Sequence, residues 1–277
     1  MYEPKRIPSL YAQTEPLPPM RYGIKKADGF IDLEDPTIDP LHIHDYLEIF
    51  FNTGAEVSFL VGDTVYPVAK GDIVISRGGE VHVCIFPRSD TFDYYCLWVD
   101  ADFSSPLFSF LRKENFSPPV SPSEEQKKRI AALLTELCAL QGQEKNELCE
   151  LSLLLGLLCA VDEAHNEPKR PSPLPPRFAE IIRYINRSFA EIRTVSAVQE
   201  KFFISASALS RAFRTYLHTT PREYIEAQKL SAALELLKDG ASVTEACAEA
   251  GFSDCSHFIV LFKKKFGQTP LRYKKRS

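Results

Sequence analysis

The segment RAFRTYLHTTPREY at residues 211–224 returns as VLFKKKFGQTPLRY at residues 260–273, a repeat displaced by 49 residues. Phe213 aligns with Phe262, Thr220-Pro221 with Thr269-Pro270 and Tyr224 with Tyr273. Only two copies occur, whereas stacked solenoids need at least three units to bury a continuous core. Two similar units joined by a spacer of fixed length are implied.

Local signals give each unit the form helix, tight turn, helix. In SVTEACAEAGFSDCSHFIVLFKKKFG, Ser242 and Glu245 form a capping box, and Gly251 breaks the helix. Ser253 or Asp254 can cap the next helix, which Gly267 ends. The first copy, TVSAVQEKFFISASALSRAFRTYLH, offers Ser205 as a cap and Leu209, Phe213 and Leu217 as an inward face. His218 stands where the second copy has Gly267, a place histidine tolerates because it is enriched at positive φ among non-glycine residues. Ahead of both, Phe178, Ile181, Ile182, Ile185 and Phe189 recur at helical spacing.

Thr220, Pro221 and Glu223 supply a cap, a first-turn proline and a capping-box acid, opening a spacer helix that runs to about Lys238. About 18 residues at ~1.5 Å each make a rod of roughly 27 Å. Major-groove faces of B-DNA recur every ~34 Å, so the rod can hold a second recognition helix in the next groove segment.

Charge is divided in the same sense. Residues 1–173 carry 16 Lys/Arg against 27 Asp/Glu, and residues 174–277 carry 17 against 10. A basic half on an acidic chain suits a polyanion, although a solvated basic face gives the same count. The junction is NEPKRPSPLPP at residues 166–176, whose prolines favour an extended linker. The chain opens without a signal-peptide pattern, and its longest apolar run, residues 151–161, is too short to span a bilayer. Seven cysteines without a CxxC pair argue against a disulfide scaffold or structural zinc, and for a reducing cytoplasm with no membrane partner.

Residues 178–273 resemble the AraC/XylS family of bacterial transcriptional regulators. The resemblance rests on SASALSRAFRTYLHTTPREYI, on KLSAALELLKDGASVTEACAEAGFSD and on HFIVLFKKKFGQTPLRY. It implies a double helix-turn-helix acting on double-stranded DNA, with RNA polymerase as a further partner. Subtracting the inward face of the first recognition helix leaves Ser207, Ser210, Arg211 and Arg214 outward. The resemblance places base contacts at Ser207, Ser210 and Arg211, and Arg211 can grip guanine O6 and N7. The second helix presents Cys255, Ser256, Ile259, Val260 and Lys263, with His257 at its start. Many relatives carry a polar or basic residue where Val260 stands, so this helix is expected to read less. Lys263, Lys264 and Lys265 suit phosphate, or are simply solvated.

The N-terminal half alternates short β-rich runs with Gly62-Asp63, Gly71-Asp72 and Gly78-Gly79, the spacing of an antiparallel barrel or sandwich. In DPLHIHDYLEIFFNTG, a single strand would place His42, His44, Tyr46 and Glu48 on one face. The pattern H-x-H-x3-E-x5-G at residues 42–54, with a second motif at residues 71–82, resembles a cupin; Arg77 stands where a proline is usual. The resemblance implies His42, His44, Glu48 and His82 as a divalent-metal set, as contacts to a small polar effector such as a sugar, or as structural hydrogen bonds. Trp98, the sole tryptophan, would stack on a sugar or fill the core.

Residues 123–163 read as two helices with stripes at Ile130, Leu133, Leu134, Leu137, Leu140 and at Leu148, Leu151, Leu154, Leu155, Leu158. Leu153 and Leu157 widen the second stripe, which implies a homodimer or burial within one chain. The expectation is a multidomain α and β protein. Residues 1–120 would form a cupin-like antiparallel β-barrel sensor, 121–165 the dimerisation helices, 166–176 the linker, and 177–277 an all-α double helix-turn-helix. The corresponding function is a cytoplasmic, effector-responsive regulator without catalysis. The alternatives are a metal-dependent cupin enzyme tethered to a DNA-binding domain and a constitutive DNA-binding scaffold.

Overall fold

The computed structural model describes residues 5–7, 20–30, 41–86, 91–100, 119–140, 147–164 and 174–275. Most of the expected linker, residues 166–173, lies outside this set. Among the described residues nine strands come first: β1 Lys5–Ile7, β2 Met20–Phe30, β3 Leu41–His42, β4 Leu47–Asn52, β5 Val57–Val61, β6 Thr64–Val68, β7 Ile73–Ser76, β8 His82–Ile85 and β9 Thr91–Asp100. They pair antiparallel in a five-stranded sheet, order β1-β2-β9-β4-β7, and a four-stranded sheet, order β3-β8-β5-β6.

Period-two alternation sorts the side chains of these sheets into three interfaces. Leu47, Ile49 and Phe51 of β4 join Tyr95, Leu97 and Val99 of β9 on the outer face of the larger sheet. They pack under α1 Glu124–Ala139 and α2 Glu147–Glu163. The opposite residues meet the smaller sheet through Phe50, Val74, Phe59, Cys84 and Phe86. β4 is therefore buried on both faces. The outer face of the smaller sheet, with Leu41, Leu60, Val65 and Val83, shares a core with Ile185, Tyr224 and Leu234 of the C-terminal helices.

Four layers result: helical pair, larger sheet, smaller sheet, C-terminal helices. An apolar face of this extent would otherwise be an exposed patch. Directional bonds fix the last junction. Asn186 Nδ2 and the Tyr224 hydroxyl donate to the Gly62 carbonyl at 3.2 and 3.4 Å, and Lys265 Nζ donates to that of Leu41 at 3.3 Å. Ser231 Oγ donates to the Gly79 carbonyl.

The C-terminal helices are α3 Pro176–Ser188, α4 Val195–Phe202, α5 Ala206–Leu217, α6 Pro221–Lys238, α7 Val243–Glu249, α8 Cys255–Phe266 and α9 Pro270–Lys274. The caps follow the sequence signals. Ser205 accepts from the Ala208 amide, Thr220–Glu223 and Ser242–Glu245 are reciprocal capping boxes, and Asp254 caps α8. His218 and Gly267 end α5 and α8 in the left-handed region at φ 49° and 72°. The 18-residue α6 is the expected spacer. From it, the buried Lys229 donates to the carbonyls of Ile192 and Gly251 at 2.8 and 2.7 Å, stitching the two helix-turn-helix units together.

Two features of the chain take definite form. Cys247 and Cys255 form a disulfide across the α7–α8 turn, with Cα atoms 5.9 Å apart. Spacing counts exclude a scaffold, but not one pair that a tight turn brings together. The wide apolar girth of α2 is used largely within the chain. Leu151, Leu154, Leu157, Leu158 and Val161 are buried between α1 and the larger sheet, because α2 has two neighbours.

Candidate functional site

Three polar side chains are buried at one end of the space between the sheets. β4 aims Glu48 inward beside Phe50, and β8 brings His82 to face it. His44 comes from the segment joining β3 to β4, so residues 42–48 are not one strand. The chain passes from the smaller sheet to the larger between His42 and Leu47. That crossing leaves His42 exposed, stacked on His82 at 5.6 Å between ring centres. His42 stands apart from the group whose ligating atoms lie within 4.8 Å of one another, namely His44, Glu48 and His82.

The loop before β8 fixes this meeting. The Gly79 amide donates to the His44 carbonyl at 2.7 Å, and Arg77 binds Glu80 at 2.9 Å through both its amide and its guanidinium. Gly79 sits at φ 91°, where a Cβ would lie 2.7 Å from Glu235 Oε1 of α6. Glycine therefore permits the turn, while the contact with Glu235 involves only the tip of a flexible side chain.

The imidazoles are held in one tautomer. His44 Nδ1 lies 2.9 Å from the Tyr46 carbonyl oxygen, and His82 Nδ1 3.0 Å from that of Glu80. A carbonyl only accepts, so each Nδ1 carries the hydrogen and each Nε2 turns toward Glu48. Those Nε2 atoms are buried and make no hydrogen bond. Their distances to the carboxylate are 3.6 Å for His44 and 3.4 Å for His82. Trp98, opposite Glu48 in the β4–β9 register, donates Nε1–H to Glu48 Oε2 at 2.7 Å. Its indole thus positions the carboxylate, a role the sequence reading did not assign.

Burial pushes the Glu48 carboxyl up, but the facing imidazoles outweigh it and hold the group well below the usual carboxylate range. Burial lowers His82, and the Glu48 carboxylate more than offsets that, leaving it raised. Burial and then Glu48 push the Cys84 and Cys96 thiols well above their ordinary value, so both stay protonated. The site is a buried carboxylate faced by two imidazole Nε2 atoms, with His82 holding its proton more tightly than a free imidazole.

The second polar surface belongs to α5 and α8. Leu209, Phe213 and Leu217 are buried on α5, leaving Ser207, Arg211 and Arg214 exposed and Ser210 half-buried. On α8, Phe258 and Phe262 are buried, while Cys255, Ser256, Lys263 and Lys264 are exposed. Val260 is 65% exposed. His257 turns toward α6, with Nε2 3.1 Å from Glu226 Oε1, which also pairs with Arg222. It is less available to a ligand than its neighbours on α8.

The sequence matches two family descriptions, an AraC-like ligand binding domain over residues 31–158 and a helix-turn-helix domain over residues 198–276. The chain belongs to the AraC family of transcriptional regulators. It is 28% identical to the HTH-type transcriptional regulator YbfI of Bacillus subtilis, over 79% of this chain and 80% of that one. It is 24% identical to the transcriptional activator RhaS of Escherichia fergusonii, over 83% and 86%. This regulator therefore joins a ligand-binding half to a DNA-binding half. No helix among its described residues is long and apolar enough to cross a membrane.

Proposed function

We propose that this regulator is a cytoplasmic, non-catalytic transcriptional activator that reads two adjacent major-groove segments under control of a small polar effector bound at His44, Glu48, His82 and Trp98. RNA polymerase is its partner at the promoter, in keeping with the activator RhaS among its relatives. The observation that carries the reading is the shared layer. The smaller sheet supplies His82 on its inner face and packs α6 on its outer face, so a ligand that shifts β8 also shifts the spacer of the two recognition helices.

Assembly is as a homodimer through the solvent side of α2. Leu148 is exposed there and Leu155 half-exposed, although Leu151 is consumed within the chain. One experiment tests both halves of the reading: selection of the full-length protein on a randomised duplex pool. The expected motif covers two groove segments about 34 Å apart, and a dimer presents it twice. Absence of any enriched motif would end the DNA-reading assignment, and a single unrepeated motif would end the dimer.

A further inference from the structure

We propose that Cys247 and Cys255 are a redox-modification site. A hydroperoxide closes their disulfide, a thiol of the glutathione class opens it, and the closed form grips DNA more tightly through α8. The proposal deepens the DNA-reading assignment above and rests on it for the consequence of the bond, while the thiol chemistry rests on the pair itself.

The internal repeat supplies a control. At a displacement of 49 residues, Cys247 falls on Val198 and Cys255 on Ala206. Val198 is buried in α4 and Ala206 opens α5, so the first unit builds its turn without a cross-link. The second unit has the Ser242–Glu245 capping box, the Asp254 cap and a core of Ala246, Phe258 and Phe262 to hold its own turn. A staple that the fold does not require points to a bond that is made and broken. In the cytoplasm proposed above, a disulfide is ordinarily of that kind.

The two sulfurs divide the work. Cys255 is exposed in the first turn of α8, where the helix N-terminus favours a thiolate. Cys247 is buried in α7, with its Cα 5.9 Å from that of Cys255, inside the span a disulfide bridges without backbone movement. The Cys255 thiolate attacks a peroxide oxygen, the O–O bond breaks, and the departing hydroxide takes a proton and leaves as water. The Cys247 sulfur then attacks the resulting sulfenic acid, the S–O bond breaks, and the Cys247 proton leaves with the hydroxyl as a second water. One peroxide and two thiols thus give one disulfide and two waters. Two thiols of the glutathione class reverse the change by exchange at the exposed Cys255 sulfur, and are themselves joined as a disulfide. Closure ties to α7 the end of α8 that helix-turn-helix proteins set against base edges. Ser256, Lys263 and Lys264 stay exposed with the bond in place, so the contact surface is presented already ordered. Closure also removes a thiolate that would face phosphate.

The test uses full-length protein, reduced with dithiothreitol, desalted and treated with hydrogen peroxide. Trypsin leaves residues 239–263 as one peptide holding both cysteines, so closure is read as the loss of two hydrogens and of both alkylation tags. Affinity for the selected duplex should rise about 5-fold on closure, because less freedom is lost on binding, and should return with reduced glutathione. Cys247→Val, which installs the residue of the first unit, should bind like the reduced parent and gain nothing from peroxide. Cys255→Ala should likewise lose the peroxide response. The proposal is overturned by a peptide that stays fully alkylated after excess peroxide, by closure that leaves affinity unchanged or lowers it, or by a peroxide response that survives in either variant. Closure in a protein that selects no duplex supports the thiol pair and removes the DNA-reading assignment instead.

Discussion

The two helix-turn-helix units share a repeat and differ in what they spend it on. α5 exposes Arg211 and Arg214 with Ser207, all able to hydrogen-bond base edges or backbone. α8 exposes Ile259 and Val260 at mid-helix and concentrates its charge in Lys263, Lys264 and Lys265 of the last turn. The tight turns differ as well. Phe203 takes the left-handed position before α5 at φ 46° and is 92% exposed, whereas Gly251 takes it before α8 at φ 82°. A common fold is thus kept by different means, with contact chemistry free to diverge on the outer faces.

The turns give the sharpest contrast. A Cβ on Gly251 would stand 2.1 Å from the Ala190 carbonyl oxygen, in a backbone region that L-residues avoid. Gly251→Ala should cost about 3 kcal/mol or more, the sum of left-handed strain and overpacking, and should unfold the second unit. Phe203→Gly relieves strain and loses no packing, so it should stay within about 1 kcal/mol of the parent. Thermal unfolding of both variants checks this. Equal destabilisation would mean that the turns are built alike.

The next effect lies in base reading. Arg211 can donate two bonds to guanine, worth ~1–3 kcal/mol of discrimination. Arg211→Ala should therefore flatten one or two base pairs of the selected motif while leaving the fold intact, because the side chain is exposed on α5. A motif that keeps all its information in this variant would move the reading elsewhere on α5.

What could be read in advance followed the range of the forces involved. Ser205, Thr220, Ser242 and Asp254 were legible because caps act over three residues, and the inward stripe of α5 because helical periodicity is local. His44, Glu48 and His82 were legible as a set. Their expected fourth member, His42, was lost because period two holds only inside one strand, and the chain changes sheets after it. Trp98 as the anchor of Glu48 depends on the β4–β9 register, which links residues 50 apart. The burial of the smaller sheet under the C-terminal helices left no periodic mark. Its strands read as short, mostly apolar runs, VSFLV of β5 among them, which mark burial without naming the layer that covers them.

The smallest effects separate grip from reading on α8. Lys264 is exposed in the last turn of that helix, beside Lys263, and can meet phosphate only as a point charge. Lys264→Ala should weaken every duplex alike and lower the slope of log affinity against log salt by about one, with the recovered motif unchanged. Val260 offers at most contact with a thymine methyl, so Val260→Ala should leave both affinity and motif near the parent. Selections at two salt concentrations distinguish the cases. If Val260→Ala erases part of the motif while Arg211→Ala preserves it, α8 is the reader and α5 the grip, and the division drawn between the two units runs the other way.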